Sequence, residues 1–213
     1  MTRMLLLVFL FMVALDDATA TATAQQTPAP KPPAARSRAA DQWELDYQVG
    51  PLRLYKDGES GEAFWYATYT IVNRTGRDRN IAPQWTILDE EGRLFNAGEG
   101  VSRRVQRAVQ ALLANPLHED QSAVIGDIMT GEENAKSGFA IWKVGPEVRR
   151  FSILVTGLSN SKKVSDDPAT KKPIVLKKTR RIDYQMATDR ATLIGEVPMV
   201  PSGAEQNPRW IMR

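Results

Sequence analysis

The chain of 213 residues contains no cysteine. No disulfide can form within it, no thiolate is available as a zinc ligand or nucleophile, and no lipid can be attached through an amino-terminal cysteine. Histidine is nearly absent too, with His118 standing alone. A zinc site takes three or four ligands, usually imidazoles or thiolates, so the run Pro116-Leu117-His118-Glu119-Asp120 reads as a solvated loop. There is no Gly-x-Ser-x-Gly elbow and no phosphate loop, and Gly98-Glu99-Gly100 is too short for a dinucleotide fingerprint. The sequence therefore assigns no catalytic residue, no cofactor and no metal ligand. A strong charge bias is also missing. The formal net charge is +3, mildly basic and not by itself a nucleic-acid signature. No internal repeat of fixed period is present.

The apolar run at the amino terminus, Met4 to Leu15, is twelve residues long. A helix needs about 20 to cross the hydrocarbon of a bilayer. Asp16-Asp17 ends the run, Arg3 precedes it, and an Ala/Thr-rich stretch follows with Ala18-Thr19-Ala20 and Ala22-Thr23-Ala24. These are the three parts of a secretory signal peptide over residues 1–24. Cleavage is expected after Ala24, where Gln25 opens a change of composition, with Ala20 as the alternative site; an uncleaved anchor is the other reading of the run. The expected location is periplasmic or extracellular. Residues 25–40 hold four prolines between Pro28 and Pro33 and no large apolar side chain. Such a segment cannot bury enough surface to offset the entropy of ordering and reads as a disordered or polyproline linker. Residues 41–213 remain, enough for a single domain with its own core.

From Trp43 onward the apolar pattern has period two, the mark of half-buried strands. Trp43, Leu45, Tyr47 and Val49 form one; Gly50-Pro51 breaks it; Leu52 and Leu54 suggest a second. Ala63 to Asn73 (AFWYATYTIVN) is dense in aromatic and β-branched residues. It carries bulk on both faces, Trp65, Tyr69 and Ile71 against Phe64, Tyr66 and Val72, and belongs in the centre of a sheet. Asn73-Arg74-Thr75-Gly76 turns the chain; the Asn-x-Thr there is read as turn chemistry rather than a glycosylation site. Gln84 to Leu88 is a strand, and Asp89-Glu90-Glu91-Gly92 a hairpin turn. Further strands are expected at Ala123–Thr130, Gly138–Val144, Arg149–Thr156 and Ile174–Met186, with Ser159–Lys172 a polar loop. Arg209 to Arg213 is a last strand or a tail docked by Trp210. One segment changes period: Val101, Val105, Val109, Leu112 and Leu113 recur at helical spacing, predicting an amphipathic helix over about 102–115 with Ser102 as its cap. The fold expected is mainly β, an immunoglobulin-like β-sandwich with that helix inserted, or alternatively an open β-barrel.

Two stretches carry a resemblance. The first is Ala67-Thr68-Tyr69-Thr70-Ile71-Val72-Asn73-Arg74-Thr75-Gly76, followed by Pro83 and Ile87-Leu88-Asp89-Glu90-Glu91-Gly92. The second runs from Ile128-Met129-Thr130-Gly131-Glu132-Glu133 to Ala140-Ile141-Trp142. Together, over roughly Ala63 to Val155, they resemble secreted bacterial immunoglobulin-like domains of unknown function. In those, a strand ending in Asn-x-Thr-Gly pairs with a later strand introduced by Pro-Gly-Glu and a glycine. Thr130 stands here where proline is usual, and the helix at Ser102 is an insertion. The resemblance implies an immunoglobulin-like sandwich and transfers no functional residue.

The unusual charge feature is basic. Lys162, Lys163, Lys171, Lys172, Lys177, Lys178, Arg180 and Arg181 fall close together, opposed by Asp166 and Asp167. Lys171, Lys172, Lys177, Lys178, Arg180 and Arg181 form a candidate anion-binding surface for lipid headgroups or an acidic glycan. The competing account is that lysines on an exposed edge strand block edge-to-edge aggregation. Stacking aromatics are missing from the block apart from Tyr184, which disfavours nucleic acid. The function expected is an exported, non-enzymatic binding or structural module of the cell envelope, with an envelope protein or an anionic surface as partner. Two alternatives are a subunit of an envelope assembly, whose helix would expose its valines and leucines, and a carboxylate-based hydrolase drawing on Asp89, Glu90, Glu91, Glu119, Asp120, Glu132 or Glu133.

Overall fold

The computed structural model describes residues 42–113, 115–144, 148–186, 196–197 and 207–213. These all fall in the compact unit Arg38–Arg213; the other unit, Met1–Ser37, holds the expected leader and most of the expected linker and lies outside the described residues. The structure is mainly β. One sheet of five strands has the order β12-β1-β2-β8-β6, formed by Glu196–Val197, Asp46–Lys56, Ala63–Asn73, Gly131–Trp142 and Glu119–Asp120. A second runs β10-β11-β9-β4-β5, formed by Lys162–Asp166, Pro173–Gln185, Arg150–Thr156, Gln84–Asp89 and Leu94–Asn96, with β13 (Arg209–Met212) also paired to β11. A small ribbon joins β3 (Arg79–Ile81) to β7 (Gly126–Ile128). Neither large sheet closes into a barrel.

The aromatic strand explains the layering. Alternate residues of β2 point to opposite faces, and both faces of this strand are apolar. Trp65, Ala67, Tyr69 and Ile71 enter the larger core and meet Trp85, Phe151, Ile153 and Tyr184 of the six-stranded sheet. The Tyr69 and Trp85 rings stack at 4.4 Å between centroids, Trp65 lies 5.9 Å from Phe151, and the Trp142 indole donates to the Trp85 carbonyl at 3.3 Å. The opposite face of β2 presents Phe64 and Tyr66, which with Phe139 and Ile141 of β8 receive Val105 and Val109 of helix α1 (Arg103–Leu113). The five-stranded sheet is thus the middle layer, with the helix on one side and the second sheet on the other.

The helix starts as its sequence suggests: Ser102 Oγ accepts from the Val105 amide at 3.3 Å. Arg104 ties it to the β1–β2 turn through a two-pronged pair with Asp57, at 2.6 and 2.5 Å. Asn73 is fully buried and spends its amide on the carbonyls of Arg77 and Ile128, which is the turn chemistry its position implies. The register sets Asn73 opposite Gly131, so β2 and β8 are antiparallel neighbours. Gly138 of β8 has no room for a side chain, because a Cβ there would run into the Glu119 carbonyl and the Tyr69 hydroxyl.

Four sequence expectations need correction. The segments on either side of Gly50-Pro51 are one strand, β1, bulged between Val49 and Leu52. The long partner β2 holds both halves in one ladder, and the bulge takes the proline, which has no amide hydrogen, out of it. Of Ala123–Thr130 only Gly126–Ile128 is strand, paired with β3. The strand expected from Gly138 begins at Gly131, seven residues earlier. The loop expected over Ser159–Lys172 contains β10, whose register places Lys162 to Asp166 opposite Lys177 to Pro173.

Candidate functional site

Alternation along β11 decides where its cations point. Ile182 and Tyr184 enter the core, so the even-numbered residues face inward and the odd-numbered ones outward. Lys178 and Arg180 therefore lie on the inner side, beyond the core's end, over the Trp210 ring at 5.1 and 5.3 Å from its centroid. Lys178 is also paired with Glu44. Lys177 and Arg181 lie on the outer side, while Lys171 and Lys172 sit in the turn between β10 and β11. The six candidate residues are divided among two faces and a turn. The edge-strand account does not hold for Lys177 to Arg181 either. β10 and β9 follow one another along one flank of β11, and β13 takes the other. Among the described strands of this sheet, β10, β13 and β5 each pair on one side only.

The outer face gathers cations that the block in the sequence does not contain. Lys162 is opposite Lys177, and Lys177 exchanges both backbone hydrogen bonds with Arg213. Arg181 is opposite Arg209, and Gln185 opposite Arg150. Directly opposite residues share a face, so Lys162, Lys177, Arg213, Arg181, Arg209 and Arg150 all project from the outer side of the six-stranded sheet. Asp166 and Asp183 are the acids on the same side of β10 and β11. Lys162, Lys177, Arg150 and Arg213 are exposed. Arg150, Arg209 and Arg213 were missed in the sequence because they come from β9 and β13. The signal was the alternation in Arg209-Trp210-Ile211-Met212-Arg213, which needs the pairing with β11 before it has a direction.

Asp183 organises the middle of this face. Its carboxylate accepts from Ser152 Oγ at 2.5 Å, Arg181 Nε at 2.8 Å and Arg209 Nη1 at 2.7 Å. Its backbone amide and carbonyl are both bound by the Asn207 side chain, at 3.0 and 2.9 Å, which fastens the carboxyl-terminal strand to β11. Burial would raise the Asp183 carboxyl, but the Ser152 hydroxyl and the Arg181 guanidinium outweigh it and hold it below the usual carboxylate range. Asp89 stands at the end of β4. Burial again pushes it up, and hydrogen bonds from Arg93, at 2.6 Å to the guanidinium and 2.7 Å to the amide, bring it down.

Asp89, Glu90 and Asp183, with Arg150 and Arg181, line an open depression of about 320 Å³. A glycosidase needs one carboxyl held protonated as the acid. Asp89 and Asp183 are both driven the opposite way. His118 lies in a turn, half-buried, with Nε2 at 3.4 Å from the Asn115 amide nitrogen. Among the described residues no group of three or more His, Asp or Glu could hold a metal ion, and no helix is long and apolar enough to cross a membrane. The helix valines, which an assembly subunit would expose, are buried against the middle sheet; of its leucines, Leu112 is exposed. Comparison of the chain with protein-family models, curated proteins and solved structures returns no match.

Proposed function

We propose that this chain is an exported, non-enzymatic module with an immunoglobulin-like fold that binds an anionic surface of the cell envelope. The observation that carries the reading is the convergence of cations from four strands, β9, β10, β11 and the carboxyl-terminal β13, on one outer sheet face. Six cations against Asp166 and Asp183 leave a net positive field spread over the sheet face, which attracts an extended polyanion or a charged surface better than a small ligand. The fold part is supported by strand order. β1-β2-β8-β6 and β11-β9-β4-β5 correspond to the A-B-E-D and G-F-C-C′ sheets of immunoglobulin domains. Trp85 on the C-equivalent strand stacks on Tyr69 of the B-equivalent strand, so ring packing occupies the sheet interface of a cysteine-free chain. The parallel pairing of β6 to β8, the helix and β10 are departures. The export part rests on the tripartite leader of residues 1–24.

Retention of the full chain on heparin and on vesicles containing phosphatidylglycerol tests the reading. Lys177→Glu with Arg150→Glu should weaken both by at least about tenfold, since each Lys or Arg near an anionic surface contributes about 1 kcal/mol. Arg103→Glu, exposed on the helix in the opposite layer, should leave retention unchanged. Equal retention by all three proteins, or no retention of any, overturns the proposal.

A further inference from the structure

β10 and the first half of β11 form a two-stranded arm whose residues are mostly exposed. Val164 and Val175 stand directly opposite one another on the outer side, 67% and 59% exposed. Lys162 and Lys177 stand opposite one another beside them. Both pairs cost stability in the free protein: one leaves β-branched side chains in water, and the other sets like charges face to face. Edge protection accounts for lysines on β10 but not for the paired valines. At the turn, Lys171 and Lys172 add charge. The nearby Asp167 carboxylate is committed to the Ala169 and Thr170 amides, at 2.8 and 3.3 Å.

An apolar pair with Lys162 and Lys177 on one side, Asp166 and Pro173 on the other and Lys171 and Lys172 at the turn beyond matches the boundary between headgroups and acyl chains of an anionic bilayer, where methyl groups leave water while ammonium groups stay among phosphates. A glycan or other soluble polyanion offers the lysines a partner but gives the valines nothing. We infer that the anionic surface is a lipid bilayer and that the arm seats Val164 and Val175 in its interface. This inference rests on the basic-face reading and adds a requirement for apolar contact.

The test uses the full chain, vesicles of phosphatidylcholine with and without phosphatidylglycerol, and heparin as a polyanion without an apolar phase. Val164→Ser with Val175→Ser should lower binding to phosphatidylglycerol vesicles by about tenfold, from the transfer free energy of the lost methyl groups, and leave heparin retention unchanged. In the cysteine-free chain, Val164→Cys carrying an environment-sensitive dye should shift its emission to the blue on phosphatidylglycerol vesicles and not on heparin. Unaltered vesicle binding by the serine variant, or a dye that stays in water, overturns insertion while leaving the charged face standing. Wild-type protein that binds heparin but not the vesicles overturns the lipid assignment alone. Failure to bind either overturns the basic-face reading as well.

Discussion

Asp183 sits where three donors converge, and its protonation is linked to folding. In an unfolded chain an aspartate titrates near 3.9. In the folded protein the Ser152 hydroxyl and the Arg181 guanidinium, with Arg209 beyond, hold it lower despite its burial. A folded carboxyl that binds its proton less readily than the unfolded one contributes stability above about pH 4, and that contribution is lost as pH falls through the folded value. Asp183→Asn should therefore cost about 1–2 kcal/mol at pH 7, at the low end for charged hydrogen bonds because the site is partly open to solvent. The gap between variant and wild type should close as pH is lowered below 4. Denaturant midpoints across pH 7 to 3 measure this, and a gap independent of pH would mean that Asp183 acts through packing alone. Nothing in the residues around Asp183 announces this role. Arg181 is two residues away, but Ser152 lies thirty-one residues away and Arg209 twenty-six, and only the strand register brings those two to Asp183.

The helix is the element most legible in the sequence, and it shows where that legibility ends. The spacing of Val105 and Val109 gives the buried stripe, and Ser102 gives the start. What the stripe covers depends on Phe64, Tyr66, Phe139 and Ile141, which two distant strands bring together. Val109 is fully buried, whereas Leu112, at similar helical spacing, is 60% exposed. Val109→Ala should then destabilise by about 2 kcal/mol, the transfer of the lost methyl groups plus a small cavity term. Leu112→Gln should stay within about 0.5 kcal/mol of wild type. Urea midpoints separate the two, and a large loss from Leu112→Gln would place that side chain in a contact. Strands fared differently from the helix. β2 was legible to the residue because bulk on both faces admits one placement. β10 was not, because Lys162-Lys163-Val164-Ser165-Asp166 holds a single apolar side chain and owes its extension to β11 across the ladder.

At the scale of the whole molecule the basic face is a product of register. The run from Lys171 to Arg181 in the sequence looks like one patch; alternation divides it, and β9, β10 and β13 supply the cations that complete the outer side. The same register joins the layers. Sequence alone gave a middle strand with two apolar faces, but not that one face meets a sheet and the other a helix. With the five-stranded sheet in contact with both, neither outer layer can keep its apolar face out of water once the middle sheet is lost. The described unit should therefore unfold as one transition, with tryptophan fluorescence and far-ultraviolet circular dichroism giving superimposable urea curves. Trp85→Ala probes this most directly, since the Trp85 ring stacks on Tyr69 and its indole donates to the Tyr47 hydroxyl at 3.2 Å, both across the sheet interface. The loss should be about 3–5 kcal/mol, as for other buried aromatics. It should move both curves by the same amount, because the contacts it removes belong to both sheets. If fluorescence shifted while circular dichroism kept the wild-type midpoint, the helix and the middle sheet would be stable without the second sheet. The basic face would then belong to a layer able to detach.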